Sequence, residues 1–236
     1  QVQERIAAAA HRVGRAPNTV QLVAITKTHP VERIRQVLDA GVQHLGENRV
    51  QEAQPKIAAL DAEHVRPTWH LVGHLQRNKA RQAVQLFDQV QSLDSLRLAE
   101  TLNQQCAAAN GTPVPVLLQV NVSGEASKAG FDLPSGASNQ EAFAHFCAEI
   151  EQILALPHLN VQGLMTIAPF VGEAAAARPV FRDLRLLRDA LAQRFPAADW
   201  SQLSMGMTND FEVAIEEGAT LVRIGRALFG ERPTSE

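Results

Sequence analysis

The sequence predicts an α/β fold in which eight parallel strands close into a single (β/α)8 TIM barrel. Eight short apolar or β-rich runs recur along the 236 residues. Helical patterns separate these runs, and strict alternation of strands and helices implies parallel pairing through right-handed crossovers. The chain length is also typical of such a barrel. A doubly wound open sheet is the alternative.

The elements are predicted in chain order from these runs. Strands are expected at residues 20–27, 42–46, 70–75, 89–93, 114–122, 161–167, 202–205 and 221–224. Helices are expected at residues 31–40, 49–62, 78–86, 95–110, 140–156, 174–195 and 210–217, after an extra N-terminal helix at 1–14 that covers the lower end of the barrel. Residues 133–139 are expected to form a loop. No long linker rich in Ser, Gly or Pro divides the chain, so we predict one domain over residues 1–236.

Composition argues against several classes of function. Lys and Arg total 22 against 25 Asp and Glu, which gives a net charge of −3 and a pI near 6.3. This balance predicts no partner among nucleic acids or anionic membranes. No apolar run approaches the length of a membrane span, and the chain start is typical of an amphipathic helix. Cys106 and Cys147 lack the spacing of metal ligands and are expected as buried thiols in the cytoplasm.

Lys27 is the first candidate for chemistry. It lies at the end of the first predicted strand, whereas the other lysines lie in stretches predicted as helix or loop. A primary amine on a rigid, dry strand loses hydration of its charged form, which lowers its pKa and allows a Schiff base with an aldehyde. The alternative is a lysine that ends the strand with its ammonium in water.

The loop after the seventh strand suits phosphate binding. In (β/α)8 barrels, functional groups gather at the C-terminal ends of the strands, and phosphate is often held after strands seven and eight. Gly206 would let the backbone approach a ligand, and the Thr208 hydroxyl could donate to an oxyanion. The alternative is an ordinary helix cap by Thr208 or Asn209.

The eighth strand carries an arginine whose direction follows from strand parity. Arg223 and Gly225 share one face of this strand, and Val222 and Ile224 share the other. If the apolar pair faces the helices, Arg223 points into the barrel mouth, where it needs an anion, a carbonyl or a ring nitrogen. His70 and His74 also share a strand face, but no third ligand accompanies them, so we predict hydrogen bonding rather than a metal site.

Taken together, a set of ordered motifs resembles the pyridoxal phosphate homeostasis protein family. The resemblance extends over nearly the whole chain, and the ordered set is much more specific than any one motif. It implies a single-domain barrel like the N-terminal domain of alanine racemase, with pyridoxal 5′-phosphate bound through a lysine on the first strand. The motifs lie at residues 24–28, 46–48, 69–79, 120–128, 163–169, 204–208 and 222–225.

The resemblance implies roles for four residues around the aldehyde and the phosphate. Lys27 would form the covalent aldimine with pyridoxal 5′-phosphate. Thr208 stands where the family usually has a serine that contacts the phosphate, and Gly225 with the amide of Arg226 would complete the phosphate site. The family often has serine or threonine at position 226, so Arg226 replaces a hydroxyl donor with a guanidinium.

Three further residues are assigned by the same resemblance. Met205 would line the phosphate site, Arg223 would lie near the pyridine nitrogen, and Asn48 would contact the side of the ring. Lys128 could hold a second aldehyde at the rim, but a solvated loop lysine is the preferred interpretation.

The function expected from this site is cofactor binding without catalysis. The chain contains no tyrosine, whereas alanine racemase takes its second base, a tyrosine, from a β-rich domain that is not expected here. Arg223 stays protonated and would weaken the electron sink of the ring. We therefore expect a monomeric protein that buffers or delivers pyridoxal phosphate through transient contact with enzymes that use it, and so influences amino-acid and keto-acid metabolism. The alternatives are a small racemase or lyase and a barrel that binds another phosphorylated metabolite.

Overall fold

The protein is described by a computed structural model that covers residues 1–109, 111–170 and 172–230. Eight parallel strands pair in a ring that closes between β9 and β1, which confirms the (β/α)8 barrel over the open sheet. The strands of the ring are β1 (Gln21–Ile25), β2 (His44–Glu47), β3 (Thr68–Leu71), β4 (Gln89–Leu93), β5 (Val114–Asn121), β7 (Leu159–Met165), β8 (Gln202–Ser204) and β9 (Leu221–Ile224). A short strand, β6 (Phe131–Asp132), pairs with the end of β5 and is absent from the sequence prediction.

The helices follow the predicted order closely. They are α1 (Val2–Arg12), α2 (Val31–Asp39), α3 (Val50–Ala62), α4 (Ala80–Leu86), α5 (Leu96–Ala109), α6 (Gln140–Leu154), α7 (Arg178–Arg194), α8 (Phe211–Glu216) and α9 (Arg226–Phe229). The predicted end of the fifth helix, Asn110, lies outside the described residues. None of the helices in the described ranges is long and apolar enough to cross a membrane.

The third strand differs most from its prediction. It begins at Thr68 and ends at Leu71. The prediction extended it to Leu75 because Val72 and Leu75 are apolar, but these buried side chains belong to the loop that follows the strand. Gly73 in this loop packs directly on the residue that follows β2, since a Cβ there would lie 2.3 Å from the carbonyl oxygen of Asn48. Apolar character alone therefore does not distinguish this strand from its exit loop.

The interior of the barrel contains a layer of glutamine side chains, whereas barrels of this fold are usually filled by branched apolar side chains. Nε2 of Gln89 on β4 donates to Oε1 of Gln162 on β7 at 2.9 Å and to Oε1 of Gln202 on β8 at 2.8 Å. In the ring, β4 is a neighbour of neither β7 nor β8, so both hydrogen bonds cross the interior. The main apolar core lies between the strands and the helices, where Ile34, Leu45 and other side chains are fully buried.

Helix α1 packs beside α8 and reaches the lower end of the barrel. Arg5 and Arg12 on α1 form ion pairs with Glu212 and Glu216 on α8, each with an N to O distance of 2.7 Å. On its other side, α1 lines a pocket at the N-terminal ends of β1 and β2.

Candidate functional site

A cavity of about 560 Å³ opens at the C-terminal ends of the strands. Its walls come from the ends of β1 and β9 and from the loops that follow β5, β7 and β8. Five of the predicted site residues line it: Lys27, Thr208, Arg223, Gly225 and Arg226. The structure thus brings together residues that are separated by almost the whole chain, and the cavity has a volume typical of small-molecule sites.

The other two predicted site residues do not line this cavity. Asn48 follows β2 and is partly buried with its carbonyl against Gly73. Met205 is fully buried in the apolar core outside the ring of strands. Side chains alternate between the two faces of a strand, and the preceding Ser204 faces the interior, so Met205 faces outward. Contact of either residue with a bound group stays a prediction.

The charged side chains that line the cavity are mostly cationic. Lys27, Lys128, Arg223 and Arg226 line it, whereas Asp210 is the one carboxylate among the lining residues that the structure describes. Lys128 is only partly exposed and lies 3.8 Å from Glu125, which differs from the preferred interpretation of a solvated loop lysine. An excess of positive charge in a cleft favours an anionic ligand.

Arg223 is buried and held by two acceptors. Its Nη1 donates to Oγ of Ser204 at 2.6 Å, and its Nη2 donates to the carbonyl oxygen of Thr166 at 2.7 Å. Burial lowers the pKa of Arg223 to about 10, and the charge of Asp210 opposes this effect. The guanidinium therefore stays cationic at neutral pH and can only donate hydrogen bonds.

Behind Arg223, hydrogen-bonding groups continue through the barrel. Ser204 Oγ donates to Oε1 of Gln91 at 2.6 Å, and Nε2 of Gln91 lies 3.0 Å from Nδ1 of His70. Nε2 of His70 lies 3.1 Å from Nδ1 of His44, which also lines the pocket at the lower end. Burial and the neighbouring His44 lower the pKa of His70 to about 4, so this ring is neutral at physiological pH.

The two histidines that share a predicted strand face lie in different surroundings. His70 is buried in the barrel, whereas His74 is exposed beyond the end of β3 with its Nδ1 2.9 Å from Asp94. The described residues contain no group of three or more metal-ligating side chains placed to hold an ion.

The loop before α8 bears on two expectations, the role of Gly206 and the residue that caps the helix. A Cβ on Gly206 would lie 2.5 Å from the Cβ of Ala214, and its φ is +90°, so packing on α8 by itself requires glycine here. Approach of this backbone to a ligand stays a prediction. Asp210 is the N-cap residue of α8, and its side chain makes no capping hydrogen bond, so the alternative of a helix cap by Thr208 or Asn209 is wrong. Oδ1 of Asp210 instead accepts from the amide of Met207 at 2.6 Å, and burial raises its pKa.

A buried ion pair behind β1 was not expected from the sequence. Lys56 on α3 lies 2.6 Å from Glu47 and 3.0 Å from Glu52, and both Lys56 and Glu47 are buried. The spacing of Glu52 and Lys56 by four residues predicts a pair on one helix face. Nothing local, however, indicates that this pair also meets the end of β2.

The comparisons with known proteins agree with this architecture. Residues 1–233 match the family described as "Alanine racemase, N-terminal domain". A protein from Vibrio cholerae named "Pyridoxal phosphate homeostasis protein" is 42% identical over 236 residues, which cover 99% of this chain and 94% of that protein. A protein of the same name from Aquifex aeolicus is 44% identical over 98% of this chain and 95% of its own length.

Solved structures show the same fold. PipY of Synechococcus elongatus, solved without PLP, superposes with a TM-score of 0.83 and 40% identity over 98% of this chain and 100% of PipY. The PLP-bound form of PipY gives a TM-score of 0.81. Alanine racemase of Clostridium difficile has a TM-score of 0.70 at 14% identity, covering 98% of this chain and 56% of the racemase, and shows the fold alone.

Proposed function

This chain belongs to the pyridoxal phosphate homeostasis protein family, and we propose on that basis that it binds pyridoxal 5′-phosphate and buffers or delivers it. The observation that carries the proposal is the meeting of Lys27, Thr208, Arg223, Gly225 and Arg226 around one cavity. These are the residues at which an aldehyde, a ring nitrogen and a phosphate would each find a chemical partner.

The groups present fit this cofactor. Bound pyridoxal 5′-phosphate supplies a reactive aldehyde and a phosphate dianion, and the cavity offers amines and an excess of positive charge. Lys27 is assigned to covalent attachment: its amine attacks the aldehyde carbon, a C–N bond forms, and the aldehyde oxygen leaves as water. Thr208 and Arg226 are assigned to the phosphate, with a hydroxyl and a guanidinium as donors. The wall at Gly225 carries no side chain, which leaves the backbone open to the ligand.

Arg223 is assigned to the ring nitrogen. Its hydrogen bonds to Ser204 and Thr166 hold the guanidinium in the barrel mouth. Since Arg223 remains protonated, it donates to the nitrogen and does not stabilise a protonated ring as a carboxylate would. This arrangement supports a binding function over proton transfer on a substrate.

The absence of tyrosine from the sequence supports the same distinction, because it removes the residue type that serves alanine racemase as its second base. We therefore propose a non-catalytic protein. A cytoplasmic location, a monomeric state, one domain over residues 1–236 and transient contact with cofactor-requiring enzymes belong to the same proposal. The buried thiols of Cys106 and Cys147 support the location, and the match of residues 1–233 to one family supports the domain.

Borohydride reduction tests the covalent step. Protein loaded with pyridoxal 5′-phosphate is reduced, digested and analysed by mass spectrometry, with Lys27→Ala and Lys79→Ala compared. We expect the reduced adduct on Lys27, its loss in Lys27→Ala, and its retention in Lys79→Ala, because Lys79 does not line the cavity. No adduct on Lys27 would overturn the proposal. Turnover of an amino acid that disappears in Lys27→Ala would favour a racemase or lyase instead.

A further inference from the structure

The ammonium of Lys56 makes three hydrogen bonds, one of them to the residue just before Lys27. Its Nζ donates to Oε1 of Glu47 at 2.6 Å, to the carbonyl oxygen of Thr26 at 2.8 Å and to Oε1 of Glu52 at 3.0 Å. An ammonium has three N–H donors, so each has an acceptor. The acceptors come from β2, from α3 itself and from the residue after β1.

The two carboxylates make further bonds to the residues on either side of Lys27. The hydroxyl of Thr26 donates to Oε1 of Glu47 at 2.6 Å. The amide of Thr28 donates to Oε1 of Glu52. We call Glu47, Glu52 and Lys56 the charge cluster. Through the carbonyl and hydroxyl of Thr26 and the amide of Thr28, this cluster fixes both neighbours of Lys27 in sequence.

Thr28 has a backbone conformation that needs such support. Its φ is +67°, in the left-handed region that a β-branched residue rarely adopts. The hydrogen bond from its amide to Glu52 helps to hold this conformation. The chain therefore turns sharply directly after Lys27, and the turn is anchored to α3 rather than to the cavity.

Stability alone does not account for the cluster. Glu47 is fully buried and Lys56 is 7% exposed, and burial raises the pKa of Glu47 even beside Lys56. Replacing buried ion pairs by apolar side chains of similar volume is often neutral or stabilising. None of the three cluster residues lines the cavity, so an effect on the ligand would have to pass through Lys27.

We propose that Lys56, Glu47 and Glu52 are positioning residues that aim the Lys27 amine into the cavity by fixing the backbone of Thr26 and Thr28. This inference rests on the proposed function, because it assumes that Lys27 is the attachment residue. Attack of an amine on a carbonyl depends on close, oriented approach, so small displacements of the Lys27 backbone slow the reaction. The cluster thus acts on the rate of attachment, not on the noncovalent fit of the ligand.

One substitution made in two backgrounds separates positioning from general structural support. Lys56→Met is made in the wild-type and Lys27→Ala backgrounds. Covalent attachment of pyridoxal 5′-phosphate is followed by absorbance, and noncovalent binding to the two Lys27→Ala proteins is measured by equilibrium dialysis. We expect Lys56→Met to slow attachment by about tenfold, and to change noncovalent binding in the Lys27→Ala background by less than about twofold. Lys79→Met, the matched lysine control, should leave both measurements unchanged.

An unaltered attachment rate in Lys56→Met, or an equal loss of noncovalent binding, would overturn the inference. Glu52→Ala provides a second variant if Lys56→Met does not fold, because it removes the acceptor of the Thr28 amide and leaves Glu47 beside Lys56. We expect slower attachment in this variant too, and a rate equal to the wild type would overturn the role of Glu52.

Hydrogen exchange in the cofactor-free protein tests the structural link independently. The Thr28 amide should exchange slowly in the wild type and faster in Glu52→Ala. If the Thr28 amide is protected but borohydride traps nothing on Lys27, the proposed function fails and the positioning role fails with it. If Lys27 is trapped but the Thr28 amide is unprotected, this inference alone is overturned.

Discussion

Arg223 and Ser204 are joined inside the barrel by a hydrogen bond of 2.6 Å between Nη1 of the guanidinium and Oγ of the serine. Because a guanidinium only donates, the serine oxygen accepts there, and its own hydrogen points to Oε1 of Gln91, 2.6 Å away. The serine therefore connects an arginine of the cavity to the amide and imidazole groups in the barrel interior.

Replacing Ser204 with alanine should destabilise the protein. The substitution removes an acceptor from the buried guanidinium of Arg223 and a donor from the carbonyl of Gln91, so we expect the free energy of unfolding to fall by about 1–3 kcal/mol. Urea denaturation measures it. Ser201→Ala, at an exposed serine just before the same strand, is the matched control and should change stability by less than about 0.5 kcal/mol. Equal effects of the two substitutions would contradict the role of Ser204.

Buried His70 should make stability fall in mild acid. Its pKa is lowered to about 4 in the folded protein from 6.5 in the unfolded chain. Above pH 6.5 both states hold the ring neutral, whereas between pH 6.5 and 4 the unfolded chain takes up a proton that the folded protein does not. Unfolding is therefore favoured as pH falls through this window, by up to about 3 kcal/mol.

The His70 contribution can be isolated by substitution. Urea denaturation at several pH values should show a flatter pH dependence for His70→Gln than for the wild type, because glutamine does not titrate. His145→Gln, at an exposed histidine of α6, serves as the control for replacing a histidine with glutamine. If His70→Gln retained the full acid-induced loss, another group would have to account for it.

Gly206→Ala should be strongly destabilising. The new Cβ would lie 2.5 Å from the Cβ of Ala214 and 2.9 Å from the Cα of Phe211, at a φ of +90°. Strain in this backbone region and the displacement of α8 together should cost about 2 kcal/mol or more, read as a lower Tm. Gly172→Ala is the matched control, since a Cβ there meets nothing within 4 Å. Similar Tm values for the two variants would show that α8 can move away without penalty.

Arg226 lines the cavity, and the contribution of its charge can be tested directly. Arg226→Gln should weaken binding of pyridoxal 5′-phosphate by about two- to fivefold, because an exposed guanidinium contributes a screened attraction to phosphate. The affinity of the variant should also depend less on salt concentration. Equilibrium dialysis at two salt concentrations measures both effects. Arg77→Gln, at an exposed arginine that does not line the cavity, should behave like the wild type, and an Arg226→Gln protein that did the same would remove this arginine from the phosphate site.

Much of the fold and part of the site follow from local patterns. The predicted bounds of β4 and β9 coincide with the structure. The first strand ends at Ile25 rather than at the predicted Lys27, which lies two residues beyond β1 and lines the cavity. Strand parity also predicts the inward direction of Arg223, because side chains alternate between faces by backbone geometry alone. Asn48 and Met205 carry no such local signal, and the structure places both outside the cavity lining.

The sequence by itself determined the barrel class, the lysine at its mouth and the inward arginine, because periodicity and strand-end position are properties of short segments. Only the tertiary structure decided which distant groups meet. Ser204 reaches Gln91 because barrel closure places β8 across from β4, and Lys56 reaches Thr26 because α3 packs behind β1 and β2. Such contacts depend on strand register and helix packing across the whole ring, and these are set by burial of the complete core rather than by any one motif.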